Sequence, residues 1–216
     1  HFLAFIDAEI GSENTLLILT SDRGTGYSPA YLAKSGIPSG EFDHNKLIAV
    51  LRSYLNVIYG KGDWIQNYSA KQIYLNHQMI EDAKIDLYEM QERIARFVVQ
   101  FSGIADAMPA SIMQKSGFTQ GLNHLMQNSY QRQRSGDIII NLEPGWIELT
   151  DKHVLQNSGY NYDVHVPLIW YGWKMPRYTI YREINTTDIA VTLSEFLEIA
   201  PPNGATGNII KELLGR

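Results

Sequence analysis

Apolar positions recur along this chain at two periods, one helical and one extended. Phe2, Leu3, Phe5, Ile6 and Ile10 fall at helical spacing, and Gly11 follows as a stop. Leu16 to Leu19 is a short unbroken apolar run, which reads as a strand buried on both faces within Thr15 to Thr20. It ends abruptly in Thr20-Ser21-Asp22-Arg23-Gly24, the loop leaving the strand's carboxyl end, where α/β sheets collect ligands and catalytic groups. Asp22 there has two readings: a functional carboxylate, or a cap or turn residue paired with a neighbour such as Arg23.

Further along, Ser28 and Pro29 predict the cap and first position of a short helix to Lys34, and residues 36–40 form a turn-rich break. Leu47, Val50, Leu51, Tyr54, Leu55 and Ile58 predict an amphipathic helix from Asp43 to just before Gly60. Trp64 to Tyr68 and Gln72 to Leu75 read as a hairpin. Ala83 to Phe101 carries the longest helical stripe, followed by a strand over Ile104 to Pro109 and a helix over Asn123 to Arg132. Ile138 to Leu142 reads as a buried strand broken by Pro144-Gly145. His153 to Asp163 is loop-like, and Val164 to Tyr171 predicts a strand whose pairing is limited at its start by Pro167. After an extended segment at Tyr178 to Arg182, Thr186 or Thr187 caps a helix to Leu197, with Asp188 in its first turn. Ile209 to Leu214 closes the chain as a short helix, and no internal repeat is visible. Helices alternating with buried strands predict an α/β fold.

The 216 residues suffice for one sizeable domain or two small ones. A net charge of −5, with no concentration of Lys and Arg, argues against a nucleic-acid partner. No apolar run approaches the ~20 residues that span a bilayer, so no membrane association is expected. The chain has no cysteine, which excludes disulfides and cysteine metal sites. The first residues lack the basic start of a signal peptide, and without an initiator Met the chain reads as a processed product or a piece of a longer protein.

The six histidines form neither H-E-x-x-H nor an i, i+4 pair, so no self-contained helical zinc site is expected. His44, His77 and His124 read as structural or exposed; His153, in the polar loop, and His165, just before Pro167, are the more chemically interesting. There is no G-x-S-x-G elbow and no phosphate-binding glycine fingerprint. Tyr160, Tyr162, Trp170, Tyr171 and Trp173 read either as core and rim packing or as an aromatic ligand wall.

Five ordered segments carry a family pattern. L-T-S-D-R-G at Leu19 to Gly24 resembles the L-T-S-D-H-G of the alkaline phosphatase superfamily, especially bacterial phosphate-irrepressible alkaline phosphatases and type I phosphodiesterase/nucleotide pyrophosphatases. Y-D-V-H-V-P-L-I-W-Y-G at Tyr162 to Gly172 resembles their Y-D-x-H-V-P-L-I-F-Y-G. P-A-Y-L-A-K-S-G-I-P-S-G, R-S-G-D-I-I-I-N-L-E-P-G-W and the closing T-T-D-I-A-V-T-L-S-E-F-L-E-I-A-P-P-N-G are similar to segments of the same group in the same order.

The resemblance implies the carboxyl-terminal half of an alkaline-phosphatase-like three-layer sandwich with a mainly parallel sheet. Residues 1–216 would form one domain fragment, with a cap-like α+β insertion at about 28–126. It implies a phosphomonoesterase or phosphodiesterase that uses two zinc ions, acts on phosphate esters in the periplasm or outside the cell, and has the possibility of homodimerising. Asp22 would be a ligand of one zinc and His165 of the other. Arg23 stands where the family has a ligand His, and a guanidinium has no lone pair to donate. Arg23 is therefore expected to contact substrate phosphate instead. The family's nucleophile and remaining ligands precede the matching region, so this chain by itself is expected to have no catalytic residue, doubtful zinc occupancy and no activity. The alternative is a degenerate relative that binds phosphate or acts as a scaffold, and a sulfatase or phosphonate hydrolase relative is a weaker third reading.

Overall fold

The computed structural model describes residues 1–149, 154–155, 158–173 and 175–214. In chain order the elements are α1 (Phe2–Glu9), β1 (Leu16–Leu19), α2 (Pro29–Lys34), β2 (Gly40–Phe42), α3 (His44–Tyr59), β3 (Ile65–Ser69), β4 (Gln72–Leu75), α4 (His77–Asp82) and α5 (Leu87–Val98). They continue with β5 (Ile104–Pro109), α6 (Ala110–Lys115), α7 (Gly121–Ser129), β6 (Ile138–Leu142), β7 (Trp146–Leu149), β8 (Val154–Leu155), α8 (Asn161–Val164), β9 (Ile169–Gly172) and α9 (Asp188–Phe196). Two compact units result: His1–Ser21 with Pro167–Arg216, and Asp22–Val166.

In the larger unit, a four-stranded sheet in the order β3-β4-β6-β5 carries the core. Leu47, Leu51 and Leu55 recur every fourth residue on α3, so one stripe of that helix is buried. It packs with Met90, Ile94 and Val98 of α5 against Ile73, Ile138 and Ile140 of the sheet. On the opposite strand positions, Met108 of β5 and Ile139 of β6 meet Met113 of α6 and Met126 of α7. Because β6 has packed side chains on both faces, its run Ile138 to Leu142 is apolar throughout except at Asn141.

Asp137, buried just ahead of β6, fastens this sheet to its helices. Its carboxylate accepts from the Leu75 amide, from Gln91 Nε2 and from the ring of His77 at Nε2, each at 2.8 Å. Its own amide donates to the Ile73 carbonyl, and its carbonyl accepts from the Ala110 amide that opens α6. A separate small sheet, β2-β7-β8, pairs β2 with β7 in parallel, with Phe42 opposite Glu148.

In the smaller unit β1 and β9 pair antiparallel, Leu16 with Gly172 and Leu19 with Ile169. Gly172 has φ +99, and a Cβ there would lie 1.9 Å from the Thr15 carbonyl oxygen, so only glycine suits the close of this ladder. Tyr171 donates its hydroxyl to Asp7 at 2.5 Å, while Trp170 and Trp173 pack on Phe196 of α9. Asp188 is buried and accepts from the amides of Asn185 and Asn208, so it ties two loops together as well as opening α9.

The α/β class, Ser28 as a cap, the helix running from Asp43 to Gly60, the hairpin and the strands at 104–109 and 138–142 agree with the pattern reading. The mainly parallel sheet does not: among the described residues β2–β7 is the parallel ladder and the other ladders are antiparallel. A continuous apolar run records burial on two faces, and here helices on both faces of an antiparallel sheet supply it. Nor is β1 buried on both faces: Leu16 to Ile18 are partly exposed and Leu19 is 55% exposed.

The stripe over Ala83 to Phe101 is interrupted by Lys84 at φ +55, a left-handed residue, and Asp86 then caps a shorter helix. Residues 164–168 are not strand: the Tyr160 carbonyl accepts from both the Asp163 and Val164 amides and winds α8 instead. Tyr178 to Arg182 pairs with no strand among the described residues.

Candidate functional site

One backbone hydrogen bond joins the two segments singled out in the sequence. The Gly24 amide donates to the Asp163 carbonyl at 2.7 Å. The segments lie so close that a Cβ on Gly24 would sit 2.1 Å from the Tyr162 carbonyl oxygen. Glycine at 24 is thus required by backbone approach. Asp22 lies two residues before this bond and His165 two residues after it. Asp22, Arg23 and His165 are all exposed. His153 lies outside the described residues.

The turn that carries His165 is built locally. Asp163 is buried, and its Oδ2 accepts from the Ser158 amide at 3.0 Å and the Ser158 hydroxyl at 2.5 Å. The His165 amide donates to the Asn161 carbonyl at 2.9 Å, after which the backbone leaves the helix. Tyr160 stacks beside Tyr162 and donates its hydroxyl to the Leu142 carbonyl at 2.9 Å, holding this turn against the end of β6.

Beside the turn is a cavity of about 270 Å³. Tyr27, Leu32, Trp146 and Tyr162 supply apolar and aromatic wall, and Lys71, Glu143 and Asp163 supply charge. The aromatic cluster therefore divides: Tyr162 lines a cavity, whereas Trp170 and Trp173 pack on Phe196.

A group of ionisable side chains missed in the sequence reading lies alongside. Glu148 is 1% exposed, and His44 Nδ1 stands 3.1 Å from its Oε1. The parallel pairing of Phe42 with Glu148 produces this proximity, because His44 begins the helix two residues after Phe42. Tyr68 stacks flat on His44, with ring centroids 4.7 Å apart. Burial, and then the negative charge of Glu148, push the Tyr68 hydroxyl well above its usual pKa. Burial lowers the Lys71 ammonium, while Glu148 and Asp163 work in the opposite direction. A carboxylate at an inward position of W-I-E-L was the available signal for Glu148; nothing local marked Lys71.

Among the described residues, no three His, Asp or Glu side chains converge as a metal-binding group. No described helix is long and apolar enough to cross a membrane.

No family model matches the chain. Among curated proteins it is 30% identical over 215 residues to a calcium-transporting ATPase of Myroides odoratus. It is 26% identical over 216 residues to alkaline phosphatase PafA of Elizabethkingia meningoseptica, and 27% identical over 215 residues to alkaline phosphatase PhoV of Synechococcus elongatus. These alignments take in 99–100% of the chain but only 38–39% of each relative, so the chain spans about two-fifths of their length. The crystal structure of wild-type alkaline phosphatase PafA superposes with a TM-score of 0.88 at 26% identity, covering 99% of this chain and 41% of that one. A multiply substituted PafA superposes with a TM-score of 0.86 at 24% identity, over 98% and 40% of the two chains. In segment order, sequence and architecture the chain is thus similar to the carboxyl-terminal two-fifths of alkaline phosphatases PafA and PhoV.

Proposed function

We propose that this chain forms part of a zinc-dependent phosphomonoesterase or phosphodiesterase, with Asp22 and His165 contributing to different zinc ions. The observation that carries this reading is the Gly24–Asp163 hydrogen bond, which brings the Asp22 and His165 segments side by side. A carboxylate and a neutral imidazole suit zinc, and both side chains are exposed for coordination. Zinc in such a centre polarises phosphoryl oxygens and stabilises the leaving oxygen. These two donors are only part of a two-zinc ligand set, so on this reading the chain by itself is not catalytic.

Arg23 adds a permanently charged guanidinium beside Asp22, suited to two parallel hydrogen bonds to a phosphate and unsuited to a metal. The same residue supports a second reading, a degenerate relative that binds phosphate without hydrolysing it.

The two readings separate on the full-length protein. The first expects hydrolysis of p-nitrophenyl phosphate or its bis ester, bound zinc by metal analysis, and loss of both in Asp22→Ala and His165→Ala. Hydrolysis that survives both substitutions would overturn the assignment of ligands. Phosphate binding without hydrolysis would favour the second reading. Arg23→His should raise zinc occupancy, and unchanged occupancy would remove position 23 as a ligand position.

A further inference from the structure

The hairpin between β3 and β4 closes with two residues, Ala70 at φ +47 and Lys71 at φ +62, since Ser69 pairs with Gln72. Two-residue turns with both central residues left-handed strongly favour Asn-Gly, because a side chain there strains the backbone. Here a lysine takes the strained position and lines the cavity described above. Such strain concentrates where a side chain must be presented to a ligand. Asp163 lines the same cavity; its Oδ2 accepts from Ser158, and its Oδ1 is buried without a hydrogen-bond partner. Asp163 is only 4% exposed, and a buried carboxylate oxygen left unmatched is costly.

We propose that this cavity binds a hydroxyaromatic compound, its ring against Tyr27, Trp146 and Tyr162 and its hydroxyl shared between Lys71 and Asp163. A phenolic hydroxyl is both donor and acceptor, so it matches a carboxylate oxygen and an ammonium at once. Aromatic walls favour offset or edge contacts with a ring. A cavity of about 270 Å³ is roughly twice the ~150 Å³ that takes benzene, which leaves room for two fused rings. The inference stands apart from the hydrolase reading, since it concerns binding and uses neither Asp22 nor His165.

Calorimetry on the chain with 2-naphthol, 2-methoxynaphthalene and naphthalene tests it. 2-Naphthol should bind about tenfold or more tightly than the other two, the margin of one charge-assisted hydrogen bond. Lys71→Gly suits the left-handed turn while removing the ammonium, and should bring 2-naphthol down to the affinity of its methyl ether. Ile37→Trp, at a half-exposed lining position, should block all three ligands without disturbing the core. Equal affinity for naphthol and methyl ether, no binding of any ring, or undiminished naphthol binding in Ile37→Trp would each overturn the proposal.

Discussion

The amide of Gly24 and the carbonyl of Asp163 meet at 2.7 Å, with no space for a side chain at position 24. Gly24→Ala should therefore push the two segments apart and destabilise the fold by about 1–3 kcal/mol, through one lost hydrogen bond and a backbone clash. Urea unfolding measures this. A change below a few tenths of a kcal/mol would show that the loop relaxes around the methyl group. If the zinc reading proposed above holds, the same variant should also lower the zinc content of the intact protein, although residue 24 is no ligand.

Asp137→Ala leaves the Leu75 amide and the Gln91 side chain without their acceptor in a buried setting. The expected loss is about 2–4 kcal/mol, seen as a lower urea midpoint with an unchanged denaturant slope. His77 also loses its partner, so its ring resonances in NMR should report the change directly.

Leu51→Ala removes a fully buried side chain from the stripe that packs α3 on the sheet, at an expected cost of about 2–5 kcal/mol. Val57→Ala, on an 85% exposed position of the same helix, should change stability by no more than about 0.5 kcal/mol. Comparable losses at both positions would contradict the orientation of α3.

Arg182 grips Glu212 with two hydrogen bonds, at 2.6 and 2.8 Å, and holds the Glu212 carboxyl down at about 2. The folded pKa is below the ordinary value of 4.5, so this pair contributes fully above about pH 4.5 and loses its contribution as pH falls towards 2. Proteolytic cleavage near Lys211 to Leu214 should become faster on acidification through that window, and Glu212→Gln should remove that part of the pH dependence.

Legibility in the sequence followed the range of the interactions involved. Helix α3 was readable because its leucines repeat every fourth residue between Asp43 and Gly60; the Asp43 cap adds a local signal that the structure makes plain. The division of 77–98 into α4 and α5 was not, because it depends on Lys84 adopting a left-handed backbone inside an apolar stripe. β2 and β7 are three and four residues long and exist through each other, with little local pattern to announce them. Asp22 and His165 were recognisable as motif positions. Lys71, Glu148 and Asp163 became neighbours only through a hairpin turn, a parallel strand pair and a helical turn, and periodicity encodes none of these.

The two-faced burial of β6 also shapes how the chain behaves before it is folded. Ile-Ile-Ile-Asn-Leu is a five-residue window with no charge and three successive β-branched residues. Exposed during synthesis or on thermal opening, such a window templates intermolecular strand pairing and aggregation. No face of this strand is free to carry a solubilising charge, so protection falls to its flanks, where Asp137 and Glu143 stand as gatekeepers on either side. Asp137 thus serves the chain twice, by keeping the strand apart from its copies before folding and by fixing it in place afterwards.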